Sequence, residues 1–262
     1  MGRFLIVLLG VVLLAGCHKP QERNWVTMGT TASVKTKGAV SEVVLNSALK
    51  MSRSLSGEIV TLLNIHDPNS ALSKFGGMSD DELIAKFGEL TYASQLQPEL
   101  TNCFAAAFRL RDQSGGAFNP RWRGEKTMDL GGIAKGYAVD VLASQVYVGG
   151  SGSSALFDIG GNLKCQRGEW TVGIAGSSET LVLTNGMACA TSAEYYRGKH
   201  IYDARTGCAV TNGLHSVTII HPSSAMLADG LSTICFTLGE TEGEAFLRRF
   251  YPEARAIWIK KD

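Results

Sequence analysis

The pattern of apolar residues changes halfway along this chain, and that change restricts the fold more than any other feature. In the first half, apolar residues recur at helical spacing over about residues 40–63, 98–116 and 133–148. In the second half, short β-branched and aromatic runs such as EWTVGIAG and HSVTIIHP are bounded by glycine, asparagine or serine, which is typical of strands. One further helix is predicted over about residues 226–238. Because helices and strands are partly segregated, we predict an α+β fold and no regular βαβ array.

The first 17 residues have the composition of an export signal. Arg3 precedes an apolar run that is shorter than the roughly 20 residues of a membrane-spanning helix, and small residues precede Cys17. The ending LLAGC matches the bacterial lipoprotein box, in which the signal is removed before a cysteine that carries the lipid; a plain transmembrane anchor is the alternative. We therefore predict a signal peptide over residues 1–17, a tether over 18–24 and a single domain over 25–262. The protein is expected in the bacterial cell envelope, lipid-anchored and facing the periplasm, at the inner or the outer membrane.

Charge and cysteine content argue against several classes of function. The 25 basic and 24 acidic residues are spread along the chain, so no nucleic-acid partner is expected. The six cysteines include no CxxC and no Cys/His pair at metal-ligand spacing, which argues against zinc. A Cys189–Cys208 disulfide is conceivable in an oxidising compartment, but the spacing alone does not test it. The roughly 245 residues after the signal are enough to bury a large core without disulfides.

The segment DLGGIAKGYAVD, from Asp129 to Asp140, places a carboxylate, two glycines and a lysine directly before a predicted helix. It fits neither the GxxxxGK[ST] pattern of a P-loop nor the GxGxxG pattern of a dinucleotide-binding fold. Glycines leave the backbone accessible, and a helix N-terminus favours anions. On these residues alone two interpretations stay open: close packing of the backbone, or contact with a ligand.

Two other segments carry groups with chemical potential. Asp229 and Thr233, in LADGLSTICF, stand four residues apart and so share one face of a helix. A carboxylate and a hydroxyl are ligands of the type that Mg²⁺ prefers, although an acid favoured by the helix dipole and a tolerated threonine also explain the pair. His200 and Asp203, in KHIYDARTG, suit proton transfer, but the same string also fits an ordinary turn.

Several strings together resemble one known family, in the same order and over almost the whole chain after the signal. They are VTMGTTASV, HDPNSALSKF, GGAFNP, MDLGGIAKGYAVD, ALFDIGGNL, HIYDARTG and SVTIIHPSSAMLADGLSTICFTLG. They resemble the FAD:protein FMN transferases, the ApbE-type lipoproteins. The resemblance implies a two-lobed, T-fold-related domain with helices packed on a mostly antiparallel sheet. It also implies a Mg²⁺-dependent enzyme that uses FAD as substrate, moves its FMN moiety onto a Thr or Ser hydroxyl of a partner protein and releases AMP.

The resemblance also implies roles for particular residues. By match to the family's motifs, the metal ligands are the Gly132 carbonyl, the Asp229 carboxylate and the Thr233 hydroxyl, and Asp229 is expected to be indispensable for turnover. The FAD contacts that carry over are Met28, His66, Ala117, Phe118, Asn119, Asp129, Lys135 and Tyr202. His200 and Asp203 are candidates to help deprotonate the incoming hydroxyl. The partner is expected to be an exported or membrane redox protein.

This chain departs from the family pattern close to the expected FAD site. Only residues 121–128 separate Pro120 from the DLGG segment, where family members commonly carry a few dozen, so a wall of the flavin or adenine pocket is expected to be missing. Asn119 replaces a usual Asp, Ala193 a usual Gly, and Cys208 follows the glycine where Arg is common. Two alternatives therefore stay open: an FAD pyrophosphatase that yields FMN and AMP, or a non-catalytic flavin-binding lipoprotein.

Overall fold

The computed structural model of the protein describes residues 19–261, apart from residues 93, 95, 97, 151, 175 and 195–200. Its strands are β1 (Gln21–Thr27), β2 (Thr30–Lys37), β3 (Ser154–Ile159), β4 (Asn162–Arg167), β5 (Glu169–Gly173), β6 (Thr180–Thr184), β7 (Ala188–Ala193), β8 (Tyr202–Asp203), β9 (Cys208–Ala209), β10 (Leu214–His221) and β11 (Arg255–Lys260). Its helices are α1 (Glu42–Leu63), α2 (Ala71–Phe75), α3 (Asp80–Thr91), α4 (Glu99–Gln113), α5 (Ala134–Gln145), α6 (Ala225–Leu238) and α7 (Glu240–Phe250).

Seven of these strands form one sheet in the order β1-β2-β3-β4-β7-β10-β11. Each neighbouring pair is antiparallel. In the described part of the chain, the remaining strands form two ribbons, β5–β6 and β8–β9. The predicted α+β class, with helices packed on an antiparallel sheet, is confirmed.

The four helices predicted from the sequence correspond to α1, α4, α5 and α6. Helices α2, α3 and α7 were not predicted. Helix α3 does carry a local signal, a capping box in which Ser79 and Glu82 each bond the other's backbone N–H. Helix α7 follows α6 after Gly239 alone, whose φ of +80° ends one helix and lets the next begin in a new direction.

Strand β1 begins at Gln21, so the prediction of a tether over residues 18–24 is wrong for residues 21–24. The strand pairs with β2, and its Trp25 is buried and donates from Nε1 to Ser56 Oγ of α1 at 3.2 Å. The chain is therefore fixed to the sheet almost from the first described residue. Residues 1–18, including Cys17, lie outside the described residues. Among the described helices, none has the length and apolar content to cross a membrane.

The two faces of the large sheet are covered differently. Helices cover one face, where side chains such as Phe157 and Ile219 belong to the main core. The β5–β6 hairpin contributes Trp170 and Leu183 to a smaller apolar cluster, in which Cys189 is also buried. Cys208 is exposed, and both thiols are free, so the conceivable Cys189–Cys208 disulfide is not formed.

Helices α5 and α6 lie side by side over the centre of the sheet. Helix α5 packs on β3 and β4, and α6 packs on β7 and β10. Gly136 permits their close approach, since a Cβ added there would lie only 2.2 Å from the carbonyl oxygen of Ala225. Gly136, the last glycine of DLGGIAKGYAVD, therefore has a packing function within α5.

Asp140, the last residue of the same segment, fixes the start of α6. Its carboxylate accepts hydrogen bonds from the backbone N–H groups of Ala225 and Met226, both at 2.9 Å, and from the Ser224 hydroxyl at 2.8 Å. Lys164 Nζ lies 2.6 Å from the same carboxylate. The first N–H groups of a helix have no partner within the helix, so one side chain of α5 satisfies those of α6. This contact sets the position of α6 along α5.

Candidate functional site

The start of α5 and the middle of α6 bring together the sequence-predicted metal ligands. Thr233 Oγ1 lies 3.4 Å from the carbonyl oxygen of Gly132. A Cβ on Gly132 would lie 3.2 Å from Thr233 Oγ1 and 3.0 Å from Phe118 Cε2, so any side chain there would crowd both. Glycine at this position therefore lets the backbone carbonyl approach the threonine hydroxyl on the neighbouring helix.

Asp229 lies one turn before Thr233 on α6 and is only 5% exposed. Its Oδ2 accepts a hydrogen bond from the backbone N–H of Gly136 at 2.9 Å and lies 3.7 Å from Lys135 Nζ. Lys135 Nζ also donates to the carbonyl of Gly131 at 3.4 Å. A buried carboxylate requires compensation, and here the amide near the start of α5 and the ammonium supply it.

This set of oxygens fits a hard cation. Magnesium binds oxygen ligands at about 2.0–2.1 Å in octahedral geometry, which puts adjacent ligands about 3 Å apart. The Gly132 carbonyl and the Thr233 hydroxyl, 3.4 Å apart, are close to that spacing. Among the described residues, no group of three or more His, Cys, Asp or Glu side chains is arranged to hold a metal. A cation here would therefore depend on a mixed set with one carboxylate, one hydroxyl and one backbone carbonyl.

The segment that follows α4 borders this set. Phe118 is 5% exposed and packs against Gly132, and Ala117 beside it is also buried. Asn119 Oδ1 accepts from the backbone N–H of Arg121 at 2.9 Å, so its side chain stabilises a turn. Of the three FAD contacts predicted in this segment, Phe118 is the one whose side chain reaches the Gly132 loop, and the other two flank it.

Asp129 and Tyr202, two further predicted FAD contacts, are connected by Trp122. Asp129 Oδ1 accepts from the backbone N–H of Gly131 at 2.8 Å, and Oδ2 accepts from Trp122 Nε1 at 3.1 Å and Arg123 Nε at 3.2 Å. The Trp122 ring stacks on Tyr202 with centroids 5.4 Å apart and planes at 12°. The Arg123 guanidinium lies 4.4 Å from the centroid of the indole. The aromatic pair and the Gly132 loop are thus joined through one carboxylate.

The short segment of residues 121–128 is held in place by Arg121. Its side chain is 12% exposed, and its guanidinium lies 2.9 Å from Asp80. It also donates to the carbonyls of Gly76 and Met78, each at 2.7 Å. These contacts fix the segment against the start of α3 and the residues before it. The next residue, Trp122, contacts Asp129. Residues 122 and 123 thus lie beside Asp129, and the expectation that a wall of the flavin or adenine pocket is missing stays a prediction.

Met28 and His66 lie in other segments. Met28 is in the β1–β2 turn with φ of +50°, a conformation that is uncommon for residues other than glycine. His66 follows α1, and its backbone N–H donates to Asn64 Oδ1 at 3.0 Å. Within the described residues, no hydrogen bond or ring contact joins either residue to the Gly132 loop. Their predicted contacts with FAD stay predictions.

Asp203 is paired with Arg205, which donates to its carboxylate from Nε at 2.9 Å and from Nη2 at 2.7 Å. The Arg205 guanidinium lowers the pKa of the Asp203 carboxyl below its usual value. An ionised carboxylate with a depressed pKa is a weak base, so this pairing favours a structural role for Asp203. His200 lies outside the described residues, and its role stays a prediction.

Three residues of the site were not singled out in the sequence: Trp122, Arg123 and Asp140. A signal for the first two was present, because RWRG places an aromatic ring between two guanidinium groups just before the glycine-rich loop. A signal for Asp140 was present as well. It stands four residues after Gly136 and so shares the helix face that needs room for a neighbour.

The sequence profile of the ApbE family matches residues 121–258, which is more than half of the chain. The protein belongs to the ApbE family. The matched range contains Gly132, Asp229 and Thr233 together with the Asp129 and Trp122 pair. The oxygen set and the Trp122–Tyr202 ring pair of this ApbE-family protein therefore both lie within the matched range.

Curated relatives of this ApbE-family chain carry the name FAD:protein FMN transferase. The relative from Treponema pallidum is 35% identical over 162 residues, which cover 52% of this chain and 44% of the relative. One from Klebsiella pneumoniae is 37% identical over 152 residues, covering 52% and 46%. One from Vibrio cholerae is 26% identical over 316 residues, covering 94% and 90%. The chain thus spans about half the length of the first two relatives and most of the third.

Solved structures of ApbE proteins share the fold. The flavin transferase ApbE from Vibrio cholerae superposes with a TM-score of 0.69 at 21% identity, covering 93% of this chain and 94% of the other. The apo form of the Pseudomonas stutzeri flavinyl transferase ApbE gives 0.70 at 22%, covering 93% and 92%. The ApbE protein from Thermotoga maritima gives 0.72 at 19%, covering 92% and 94%. These matches confirm the predicted ApbE-like fold.

Proposed function

We propose that this protein transfers the FMN moiety of FAD to a Thr or Ser hydroxyl of a partner protein and releases AMP. The observation that carries the proposal is the Gly132 carbonyl, 3.4 Å from the Thr233 hydroxyl, with the buried Asp229 one helical turn before Thr233. All three lie in the segment that matches the ApbE family. The name shared by the relatives supplies the reaction, and the oxygen set supplies a way to perform it.

The three oxygens would hold Mg²⁺. When bound, such a cation neutralises charge on a pyrophosphate and favours departure of the AMP phosphate. The chain's own contribution is to hold the ligands still. Gly136 N–H and Lys135 orient the Asp229 carboxylate, and the close contact between α5 and α6 keeps the Gly132 carbonyl at the Thr233 hydroxyl.

Lys135 also provides a positive charge for the substrate. Its ammonium lies at the N-terminal end of α5, and the side chain is 23% exposed. Both the charge and the helix end favour a phosphate at this position. We therefore assign Lys135 to the binding of the pyrophosphate.

In the proposed step, the hydroxyl oxygen of the acceptor forms a bond to the phosphorus atom of the FMN half. The bond from that phosphorus to the bridging oxygen breaks, and the bridging oxygen leaves with AMP. The hydroxyl proton passes to a base. Asp203 is a poor candidate because Arg205 lowers the pKa of its carboxyl, whereas His200 stays the predicted candidate. A His200→Ala variant with full activity would remove that assignment.

We also propose that the acceptor is an exported or membrane redox protein and that a lipid on Cys17 attaches the transferase to the cell envelope. The support is the sequence MGRFLIVLLGVVLLAGC alone. Mass spectrometry of the protein from a bacterial membrane fraction tests this proposal. An N-terminal peptide that begins at unmodified Met1 would contradict it.

The activity is tested with the full chain in detergent, incubated with FAD and MgCl₂ with and without an exported redox protein that presents a threonine. AMP is measured by chromatography, and covalent flavin by fluorescence in a denaturing gel. Transfer predicts AMP and a fluorescent acceptor band only when the acceptor is present. AMP without acceptor would indicate a pyrophosphatase, and FAD binding without AMP would indicate a flavin-binding lipoprotein.

Substitutions on α6 separate the metal site from general stability. Thr233→Val removes one proposed ligand, so turnover should fall and require more Mg²⁺, whereas Thr233→Ser keeps the oxygen and should retain most activity. Asp229→Asn should abolish turnover. Thr237→Val is the matched control, because Thr237 lies one turn further along and its hydroxyl donates to the Thr233 carbonyl at 2.8 Å. Equal Mg²⁺ dependence in Thr233→Val and Thr237→Val would contradict the ligand assignment.

A further inference from the structure

The short segment of residues 121–128 presents an aromatic surface next to the proposed phosphate site. Trp122 is half-buried and its ring is parallel to that of Tyr202, at 12° with centroids 5.4 Å apart. Tyr202 is 40% exposed. Offset-parallel packing at this spacing is favourable for aromatic rings. One flat ring, that of Tyr202, therefore already lies against the indole, and a substrate ring stacked there would take its place.

The position of the indole is set from two sides. Arg121, the residue before it, is anchored by its contacts with Asp80 and with the carbonyls of Gly76 and Met78. The indole Nε1 itself donates to Asp129 Oδ2 at 3.1 Å. Because neither contact depends on a ligand, the ring is held in place before any substrate arrives. Such preorganisation reduces the entropy lost on binding.

The same carboxylate connects the indole to the proposed phosphate site. Asp129 Oδ2 holds Trp122, and Asp129 Oδ1 holds the backbone N–H of Gly131 at 2.8 Å, directly before Gly132. Arg123 adds a positive charge, since its guanidinium lies 4.4 Å from the indole centroid and its Nε lies 3.2 Å from Asp129. The Trp122 indole, the Arg123 guanidinium and the loop at Gly132 are thus all connected to Asp129. This combination is complementary to a ring joined through a sugar or ribityl chain to a phosphate.

We propose that Trp122 is a substrate-binding residue on which a flat heteroaromatic ring of the dinucleotide stacks, and that Asp129 is the positioning residue that holds the indole. This inference rests on the proposed function and adds to it a determinant of ring recognition. It also gives the short segment a function, since the residues that replace a longer insertion supply the stacking surface themselves. The ring is the isoalloxazine or the adenine, which share this chemistry.

The experiment compares FAD binding by the full chain and by Trp122→Leu and Trp122→Phe, using calorimetry with MgCl₂ and no acceptor. Stacking on an aromatic side chain predicts that Trp122→Leu binds FAD about 5- to 100-fold more weakly. Trp122→Phe keeps a ring but loses the bond to Asp129, so its affinity should lie between the two. In turnover, the KM for FAD should rise with kcat largely retained, since the indole touches no reacting bond.

FMN and AMP, the two halves of FAD, identify the ring. Weaker binding of FMN with unchanged binding of AMP assigns the isoalloxazine, and the reverse assigns the adenine. The matched control is Trp258→Leu. Trp258 is another indole that donates to a carboxylate, Glu244 at 2.7 Å, but it lies on β11 at the far edge of the sheet.

The outcomes separate this inference from the proposed function. Wild-type protein that binds FAD with the same affinity as Trp122→Leu overturns the stacking role and leaves the transferase proposal intact. Equal losses in Trp122→Leu and Trp258→Leu also overturn it, because the effect would then be a general loss of structure. Wild-type protein that neither binds FAD nor releases AMP overturns the proposed function, and the inference with it.

Discussion

The α5–α6 joint, made of residues 131–140 and 224–233, and the segment of residues 121–128 reach the same site by different physical means. The joint is built mainly from backbone: a glycine lets two helices touch, and one carboxylate satisfies the first amides of α6. The segment is built from side chains: an arginine anchor, an indole and a stacked phenol ring. Backbone contacts tolerate almost no added volume, whereas side-chain contacts can be exchanged. We infer that the proposed metal ligands require close backbone packing, whereas a surface that binds a ring can be formed by different side chains.

The largest effect is expected from Gly136→Ala, which acts on the joint. The added methyl group would lie 2.2 Å from the Ala225 carbonyl oxygen and 2.7 Å from Asp229 Cβ. Since the first contact is with backbone, helix α6 has to move. We expect a loss of about 3 kcal/mol of unfolding free energy, measured by urea denaturation. Asp229 would be displaced as well, so the requirement for Mg²⁺ in turnover should rise.

Gly57→Ala is the control for that prediction. Gly57 lies inside α1 at an exposed position, and a Cβ there would meet no atom within 4 Å. The same substitution should therefore stabilise the protein by about 0.5–1 kcal/mol, because alanine favours a helix interior. If both variants were destabilised alike, close approach of the helices would not be the cause at Gly136.

The difference between the two regions also explains how much the sequence could predict. The spacing of Asp229 and Thr233 predicted a shared helix face, whereas their assignment as metal ligands, like that of Gly132, came from the resemblance to a family. The spacing from Gly136 indicates which helix face Asp140 occupies, but the residues that Asp140 caps lie more than 80 positions away, and no local pattern reveals that partner. Trp122 was missed for another reason. Comparison with a family pattern treats residues 121–128 as a deletion, and a deletion does not indicate which remaining side chains fill the space.

Arg121→Ala is expected to have the next largest effect, and it acts on the segment. The substitution removes a guanidinium that contacts Asp80 and three carbonyls, so we expect a loss of about 1–3 kcal/mol. The loss is limited because Asp80 keeps its second partner, Arg111, at 2.7 Å. Unlike Gly136→Ala, it should change the indole fluorescence near Trp122 and weaken FAD binding while the Mg²⁺ requirement stays the same. Arg53→Ala, at an exposed position of α1, is the control.

A conservative variant sharpens this test of the segment. Arg121→Lys keeps the charge but loses the planar fork that reaches several acceptors at once, so it should recover only part of the lost stability. Full recovery in Arg121→Lys would show that charge alone anchors the segment. A rise in the Mg²⁺ requirement of Arg121→Ala would show that the segment and the joint are not independent.

The smallest effect is expected from the pH dependence of His221, at the end of β10 where the chain enters the joint. Its Nδ1 accepts hydrogen bonds from the backbone N–H groups of Ser223 at 3.2 Å and Ser224 at 3.0 Å, so the folded protein needs the neutral ring. Burial lowers the pKa of His221 below its ordinary value of 6.5, although Glu253 nearby opposes the shift. A histidine whose pKa is lowered in the folded state contributes its full stabilisation above the pKa that it has in the unfolded state, and this stabilisation is lost as pH falls.

The unfolding free energy should therefore decline as pH drops below about 6.5. The variant His221→Asn, whose amide oxygen can still accept these bonds, should show a shallower decline. Identical slopes for the two proteins between pH 7.5 and 5.5, measured by urea denaturation, would show that the helix start does not depend on the protonation state of this histidine.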